Sequence, residues 1–240
     1  MAALGELSNS IAHEIKNPLT SIGGFARRLD RSMPEEASEK RYTQTIIKEV
    51  SRLEKILNDI LDYTHHESMV FKELDLLDIL EKSLSMVTEE IRSRGIQVIK
   101  EYAEEIPKMN GEAYQLNQVF FNLINNACQA MSDSTRTEKE KGVLSLRVHP
   151  FSKNGSSYIK VEVEDNGKGI DPENLHNIFN PFYSTKESNL GLGLPIVHKI
   201  ITSHRGQIEV DNHPGKGVNF IITLPAQEEM EKKIENARGE

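Results

Sequence analysis

At 240 residues, 37% hydrophobic and 28% charged, the chain suffices for one large domain or two small ones and has an ordinary globular composition. A net charge of −8 with no basic cluster argues against a nucleic-acid partner. No window holds the roughly 20 consecutive apolar residues of a membrane helix, and the single Cys128 excludes an internal disulfide and a cysteine zinc cluster.

In chain order, Leu4, Leu7, Ile11, Ile15, Ile22, Phe25 and Leu29 recur in steps of three and four, with one double step, and predict a long helix. MPEEASEK (33–40) carries turn and helix-start signals, and Tyr42, Ile46, Val50, Leu53, Leu57 and Ile60 predict a second helix. Two such helices make an antiparallel hairpin whose apolar seams cannot both be buried within one chain. Pairing two hairpins into a four-helix bundle is the simplest solution, so a homodimer is expected.

From about residue 69 the texture changes. Strands are expected in VFKELDL (70–76), IQVIKEY (96–102), VLSLRVH (143–149), YIKVEVED (158–165), GQIEVDN (206–212) and VNFIITLP (218–225). Helices are expected near 76–93, 112–132 and 191–204. The fold class is α+β: a two-helix hairpin followed by helices layered on a mixed sheet. The expected domains are 1–66, 67–225 and a charged tail, 226–240, with the boundary in HHESM (65–69). Cys128, in an apolar helical run, reads as a buried structural thiol.

Four segments could carry chemistry. Ile11 and Ile15 flank His13 two residues to either side, which turns His13 about 200° away from each, off the apolar stripe. From position alone it is either an ordinary exposed histidine or a reactive one. Glu14 can orient the ring, Asn17 lies one turn along the same face, and Pro18 withdraws an N–H where the helix should bend. Asn122 and Asn126, at i and i+4 against an apolar face of Val119, Leu123 and Ile124, stack two amide oxygens able to meet a hard cation and phosphates. Asp165 ends a strand before Gly167 and Gly169, either a plain turn or a close approach to a flat ligand. Gly191 and Gly193 open an apolar helix whose first N–H groups suit an anion, with Lys186 upstream as a further phosphate contact.

In this order and spacing, the segments resemble the catalytic core of the sensor histidine kinases of two-component systems. AHEIKNPLT resembles the H box, NLINNA the N box, DNGKGI the G1 box, FNPFYSTK the F box, GLGLPI the G2 box and HPGKGVNFIITLP the G3 element. The resemblance spans nearly the whole chain. It implies a dimerisation and histidine-phosphotransfer hairpin followed by a Bergerat-type α/β sandwich that binds ATP with Mg²⁺.

By that resemblance, His13 is the phosphoacceptor, Glu14 assists removal of its proton, and Asn17 helps place water when a partner is dephosphorylated. Asn126 is the Mg²⁺ ligand, Asn122 supports it, and Asp165 takes a hydrogen bond from the adenine amino group. Gly167, Gly169 and Ile170, then Gly191, Leu192, Gly193 and Leu194, line the nucleotide. Residues 171–190 form a lid packed by Phe182 and Tyr183, with Lys186 near the γ-phosphate. Two positions depart from the family's pattern. Asn189 and Leu190 precede Gly191 where glycine and threonine are common, and Val218 stands where threonine is usual. The first leaves no hydroxyl for a lid contact, while the backbone cradle and ATP binding are expected to survive both.

The implied function is autophosphorylation on His13 and transfer to an aspartate on a response regulator receiver domain, with regulator phosphatase activity besides. Residue 1 falls inside a helix that in the family runs in from an upstream sensor or signalling module. A cytoplasmic fragment without that module is therefore expected, and membrane anchoring of the full-length protein stays open. The rival readings are an ATPase of the same nucleotide-binding superfamily and a dimeric adaptor with a dead nucleotide site.

Overall fold

The structure is a computed structural model that describes residues 2–64, 70–132, 141–185 and 190–226, apart from the side chains of 2–14, 59, 62–64 and 132. It divides into two compact units, residues 1–68 with 180–193, and 69–179 with 194–240. The expected boundary at 65–69 and nearly all of the charged tail lie outside the described residues.

The hairpin is α1 (Ala2–Ser32) and α2 (Lys40–Thr64). Its inner seam sets Leu19 and Ala26 of α1 with Thr43, Val50 and Leu57 of α2, all buried. Gly23 sits close against that seam: a Cβ there would stand 3.0 Å from Val50 Cγ1, so the Val50 side chain would have to shift. Near the turn, Thr43 Oγ1 donates to Asp30 Oδ1 at 2.8 Å and pins the helices together. The inner rows recur every seventh residue (19, 26; 43, 50, 57), and so do second rows at Ile15, Ile22 and Leu29 and at Ile46 and Leu53. Those second rows, with Phe25 and Tyr42, are exposed. The apolar stripe expected on α1 is thus mostly the outer row, and Leu19 and Ala26 make the hairpin's own contact.

The second unit begins with β1 (Lys72–Leu74), α3 (Leu76–Met86), α4 (Thr88–Ser93), β2 (Gln97–Tyr102), β3 (Met109–Gly111) and α5 (Ala113–Ser132). It continues with β4 (Val143–Lys153), β5 (Ser156–Asp165), a 3₁₀ turn (Leu175–Asn177), α6 (Gly193–Ser203), β6 (Gln207–His213) and β7 (Gly217–Pro225). The main sheet has the order β2-β4-β5-β7-β6, with β2 and β4 parallel and every other pair antiparallel, while β1 and β3 form a separate ribbon. This is the mixed sheet expected from the sequence.

Alternation along the strands puts Leu144, Leu146 and Val148, then Ile159, Val161 and Val163, then Phe220, Ile222 and Leu224 on one buried face. α5 packs on that face and α3 packs on α5. On α5, Leu116, Phe120, Leu123 and Ile124 have no exposed surface, each contributing roughly 1.5–3 kcal/mol through burial. The helix that carries Asn122 and Asn126 is therefore among the most firmly anchored elements.

Three elements differ from expectation. The helix near 76–93 is two helices, broken at Val87 (φ −111°, ψ 9°). β3 is too short to leave a periodic signal. The strands at 143 and 158 run on into a hairpin turned at Asn154 (φ 54°) and Gly155 (φ 77°), two successive positive φ angles that match the right-handed twist of the strands.

Candidate functional site

The site residues of the second unit are gathered by the loop that leaves β5. Asp165 is buried, and its Oδ1 accepts the Gly167 N–H at 2.7 Å, a tight turn that fixes the carboxylate. Gly167 lies against α5: an added Cβ would stand 2.9 Å from Ala130 Cβ and 3.0 Å from the Ala130 carbonyl carbon. Ala130 follows Asn126 by one helical turn, and Asn126 follows Asn122 by another, so the loop abuts the helix row that bears both amides. Asn122 and Asn126 are half-buried, over a face of buried Val119, Leu123 and Ile124. A fixed carboxylate, a glycine backbone and two amides are thus set on neighbouring elements.

The loop is held from three sides. Asn166 donates its N–H to the Val143 carbonyl at 3.2 Å, and its Oδ1 takes the Val143 N–H at 2.7 Å. Gly169 has φ +72°, and a Cβ on it would meet the His213 carbonyl oxygen at 2.7 Å. Asn212 accepts the Ile170 N–H and donates to the Ile170 carbonyl, both at 2.8 Å. Gly217, at φ +120°, has room only for hydrogen because the Asp165 carbonyl oxygen occupies the space of a Cβ. The two glycines of HPGKG therefore differ in purpose. Gly215 makes the turn in open space, whereas Gly217 lets β7 pass the Asp165 backbone.

The start of α5 is itself fixed. The Glu112 carboxylate accepts the N–H groups of Tyr114 (3.1 Å) and Gln115 (2.7 Å), a cap on the first turn. Burial of Cys128 pushes its thiol up to about 11, and Glu90 adds to the rise, so the thiol is inert, as its apolar setting foretold.

Residues 180–193 belong to the other unit. Gly191 has φ +71°, and a Cβ on it would strike the backbone of Tyr183, so this glycine admits a close chain crossing. Phe182 holds the left-handed conformation (φ 65°) with its ring exposed. Leu192 is buried and α6 begins at Gly193.

Comparison with known proteins bears on both units. Residues 3–68 match the family described as His Kinase A (phospho-acceptor) domain, and residues 111–228 the family described as Histidine kinase-, DNA gyrase B-, and HSP90-like ATPase. The sensor histidine kinase ZraS of Escherichia coli (strain K12) is 34% identical over 225 residues, which are 94% of this chain and 46% of ZraS. The chain belongs to the sensor histidine kinase family.

Histidine kinase ThkA, solved in complex with the response regulator protein TrrA, superposes at a TM-score of 0.65 with 31% identity, covering 94% of this chain and 63% of that one. Full-length ShkA, solved with AMPPNP, superposes at 0.76 with 22% identity over 92% of this chain and 46% of that chain, a likeness of fold. This chain spans less than half the length of ZraS.

For this histidine kinase core, the remaining expected site residues stand as follows. His13 and Glu14 lie in α1, their side chains outside the described residues. Asn17 and Pro18 are exposed on the same helix, which runs through Pro18 without ending. Lys186 lies outside the described residues. Asn122, Asn126, Asp165, Gly167, Gly169 and Ile170 come together in one unit, whereas Gly191, Leu192 and Gly193 fall with the hairpin and Leu194 with the second unit. Sequence reasoning missed Asn212, Asn166 and the Glu112 cap. The signal for Asn212 was there: a residue able to mimic a peptide group standing just before the HPGKG turn.

Among the described residues no cluster of three or more histidine, cysteine or acidic side chains could cage a metal. The neutral amides of Asn122 and Asn126 instead suit a hard cation that brings its own anionic and water ligands, as Mg²⁺ does with nucleotide phosphates. Also among the described residues, no helix is long and apolar enough to cross a membrane.

Proposed function

We propose that this chain phosphorylates itself on His13 with ATP and then passes the phosphoryl group to an aspartate of a response regulator. The observation that carries the reading is the approach of Gly167 to Ala130, which sets the fixed Asp165 carboxylate beside the Asn122–Asn126 row. That arrangement occurs in a chain whose first 68 residues match a phospho-acceptor family. An ATPase or an adaptor would need only one of the two.

In this reading Asp165 accepts the adenine amino group and the Gly167–Ile170 backbone borders the base. Asn126, supported by Asn122, would hold Mg²⁺, which would supply positive charge to offset the nucleotide phosphates. An imidazole nitrogen of His13 attacks the γ-phosphorus in line, the bond to the bridging oxygen of ADP breaks, and Glu14 assists departure of the ring proton. The N–H groups that open α6 after Gly191 and Lys186 stabilise the phosphates. Transfer to the regulator then moves the phosphoryl group from nitrogen to carboxylate oxygen. The exposed amide of Asn17 supports a regulator phosphatase activity by positioning water.

Residues 1–66 serve as the dimerisation and phosphotransfer hairpin, 67–225 as the ATP-binding domain and 226–240 as a charged tail. The exposed rows of α1 and α2 support a homodimer, since together they make an apolar surface along the hairpin. The test is incubation with γ-labelled ATP and Mg²⁺, wild type against His13→Ala, followed by a receiver domain. The expected label is acid-labile and base-stable, is absent from His13→Ala and moves to the receiver. A label of equal strength in His13→Ala would sink the proposal.

A further inference from the structure

Asn212 bonds to the loop that leaves β5, and no motif of the resemblance includes it. Its side-chain amide lies against the main chain of Ile170 in the manner of a neighbouring strand, accepting the N–H and donating to the carbonyl, each at 2.8 Å. A third bond, from the Gly215 N–H to the Lys168 carbonyl at 2.7 Å, completes the seam between this loop and the β6–β7 turn. Of the three, two depend on one side chain.

The position of that seam matters. Upstream, Asp165 and Gly167 are fixed by their own hydrogen bond and by Ala130. Downstream, the chain leaves Ile170 for Asp171 and runs through residues 171–179, which hold a 3₁₀ turn at Leu175–Asn177. Motion in that stretch would pull directly on Gly167 and Asp165 unless Ile170 were anchored. A backbone N–H and C=O at the edge of an open site would otherwise bond to water and leave the loop several conformations.

We propose that Asn212 is a positioning residue for the nucleotide site, a clamp on Ile170 that isolates the Asp165–Gly169 loop from movement of the segment that follows it. This rests on the reading of the unit as an ATP site. The clamp acts on nucleotide affinity and not on the later transfer from phosphorylated His13, which does not use ATP.

The test uses the intact chain, a fluorescent ATP analogue with Mg²⁺, and the variants Asn212→Ala and Asn212→Asp. The alanine removes both bonds; the aspartate keeps the acceptor for the Ile170 N–H but turns a carboxylate oxygen against the Ile170 carbonyl oxygen in place of the donor. Loss of one or two hydrogen bonds corresponds to roughly a five- to tenfold weakening, so Asn212→Ala should bind the analogue roughly tenfold more weakly and Asn212→Asp at least roughly fivefold more weakly. KM for ATP should rise with kcat nearly unchanged, the Ile170 amide should exchange faster with solvent, and phosphotransfer from prephosphorylated chain should keep its rate. Should Asn212→Ala fail to fold, Asn212→Asp alone decides by the same readouts. Wild-type affinity in a folded Asn212→Ala, or a kcat loss with unchanged KM, overturns the clamp and leaves the kinase reading standing. Absence of analogue binding by the wild type overturns both.

Discussion

His204, at the end of α6, accepts the backbone N–H of Glu112 on its Nε2 at 3.0 Å, joining the end of one helix to the cap of another through a wholly buried ring. Its Nδ1 must then carry the proton, donated to the Ile200 carbonyl at 2.9 Å, and Phe71 lies against the ring at 4.9 Å between centroids. Burial lowers the pKa of His204 from its ordinary 6.5, against smaller opposing effects of the Ile200 carbonyl and the Glu112 carboxylate. The neutral ring is therefore the folded form. A depressed histidine contributes stability that is complete above the unfolded value and is lost as pH falls through the folded one. The unfolding free energy should decline as pH drops below about 6.5, measured by urea unfolding at pH 7.5 and 5.5. His204→Phe should leave the Glu112 N–H unpaired, cost about 1–3 kcal/mol at pH 7.5 and remove that part of the pH slope.

A second acid-sensitive element lies on the other face of the sheet. Arg147 reaches Glu162 and Glu164, each at 2.7 Å, while Lys160 (3.0 Å) and Asn219 (3.1 Å) also bond Glu162. Burial works to raise the Glu162 pKa, but the bonds from Arg147, Lys160 and Asn219 outweigh it and hold it at about 2. A depressed carboxylate gives stability that is present above its ordinary 4.5 and lost as pH falls toward 2. Arg147→Met should shift the Glu162 titration upward by NMR and move the acid-unfolding midpoint to higher pH. An unchanged midpoint would mean that the network adds nothing to stability.

In the proposed homodimer, the exposed apolar residues of the hairpin form the contact between chains. Phe25, 67% exposed in the single chain, is the largest exposed apolar group of α1 beside the outer row. Phe25→Glu should place like charges at a symmetric contact and turn the dimer into a monomer by analytical ultracentrifugation, with helix content by circular dichroism nearly retained. A dimer of unaltered affinity would place the interface elsewhere.

Gly167 and Gly24 make a matched pair for testing the site. A Cβ on Gly167 would press Asp165 Oδ1 (2.6 Å) and the backbone of Ala130 (3.0 Å), whereas one on Gly24 meets nothing within 4 Å. Gly167→Ala should abolish binding of a fluorescent ATP analogue while the chain still folds. Gly24→Ala, within α1, should leave binding intact and raise stability by about 0.5–1 kcal/mol through reduced helix entropy cost.

Periodicity made the long elements legible, and the six boxes named the chemistry. Asn126, Asp165 and Gly167, which the fold sets on neighbouring elements, were legible as a group because each stands in one of those boxes. Other features were not, for physical reasons. Leu19 and Ala26 lie off the stripe of Ile15, Ile22 and Phe25 that dominates the periodicity, yet they are the α1 residues buried at the seam with α2. The break at Val87 has no glycine or proline to announce it. His204 and Glu112 are 92 residues apart, and a contact between a ring and a backbone N–H leaves no pattern in either segment. Asn212 works by imitating a peptide group, so in sequence it looks like any turn residue.

The turn at Asn154 and Gly155 stands at the far end of β5 from Asp165, a strand of ten residues, or roughly 30 Å. Residues 152 and 153 pair only with 157 and 156, and a side chain added at Gly155 would meet nothing within 4 Å. This makes the tip a natural port for engineering: a spectroscopic label or a small inserted reporter between 154 and 155 would sit at the opposite end of β5 from Asp165. Binding and labelling could then be measured on the same molecule without altering the loop after β5.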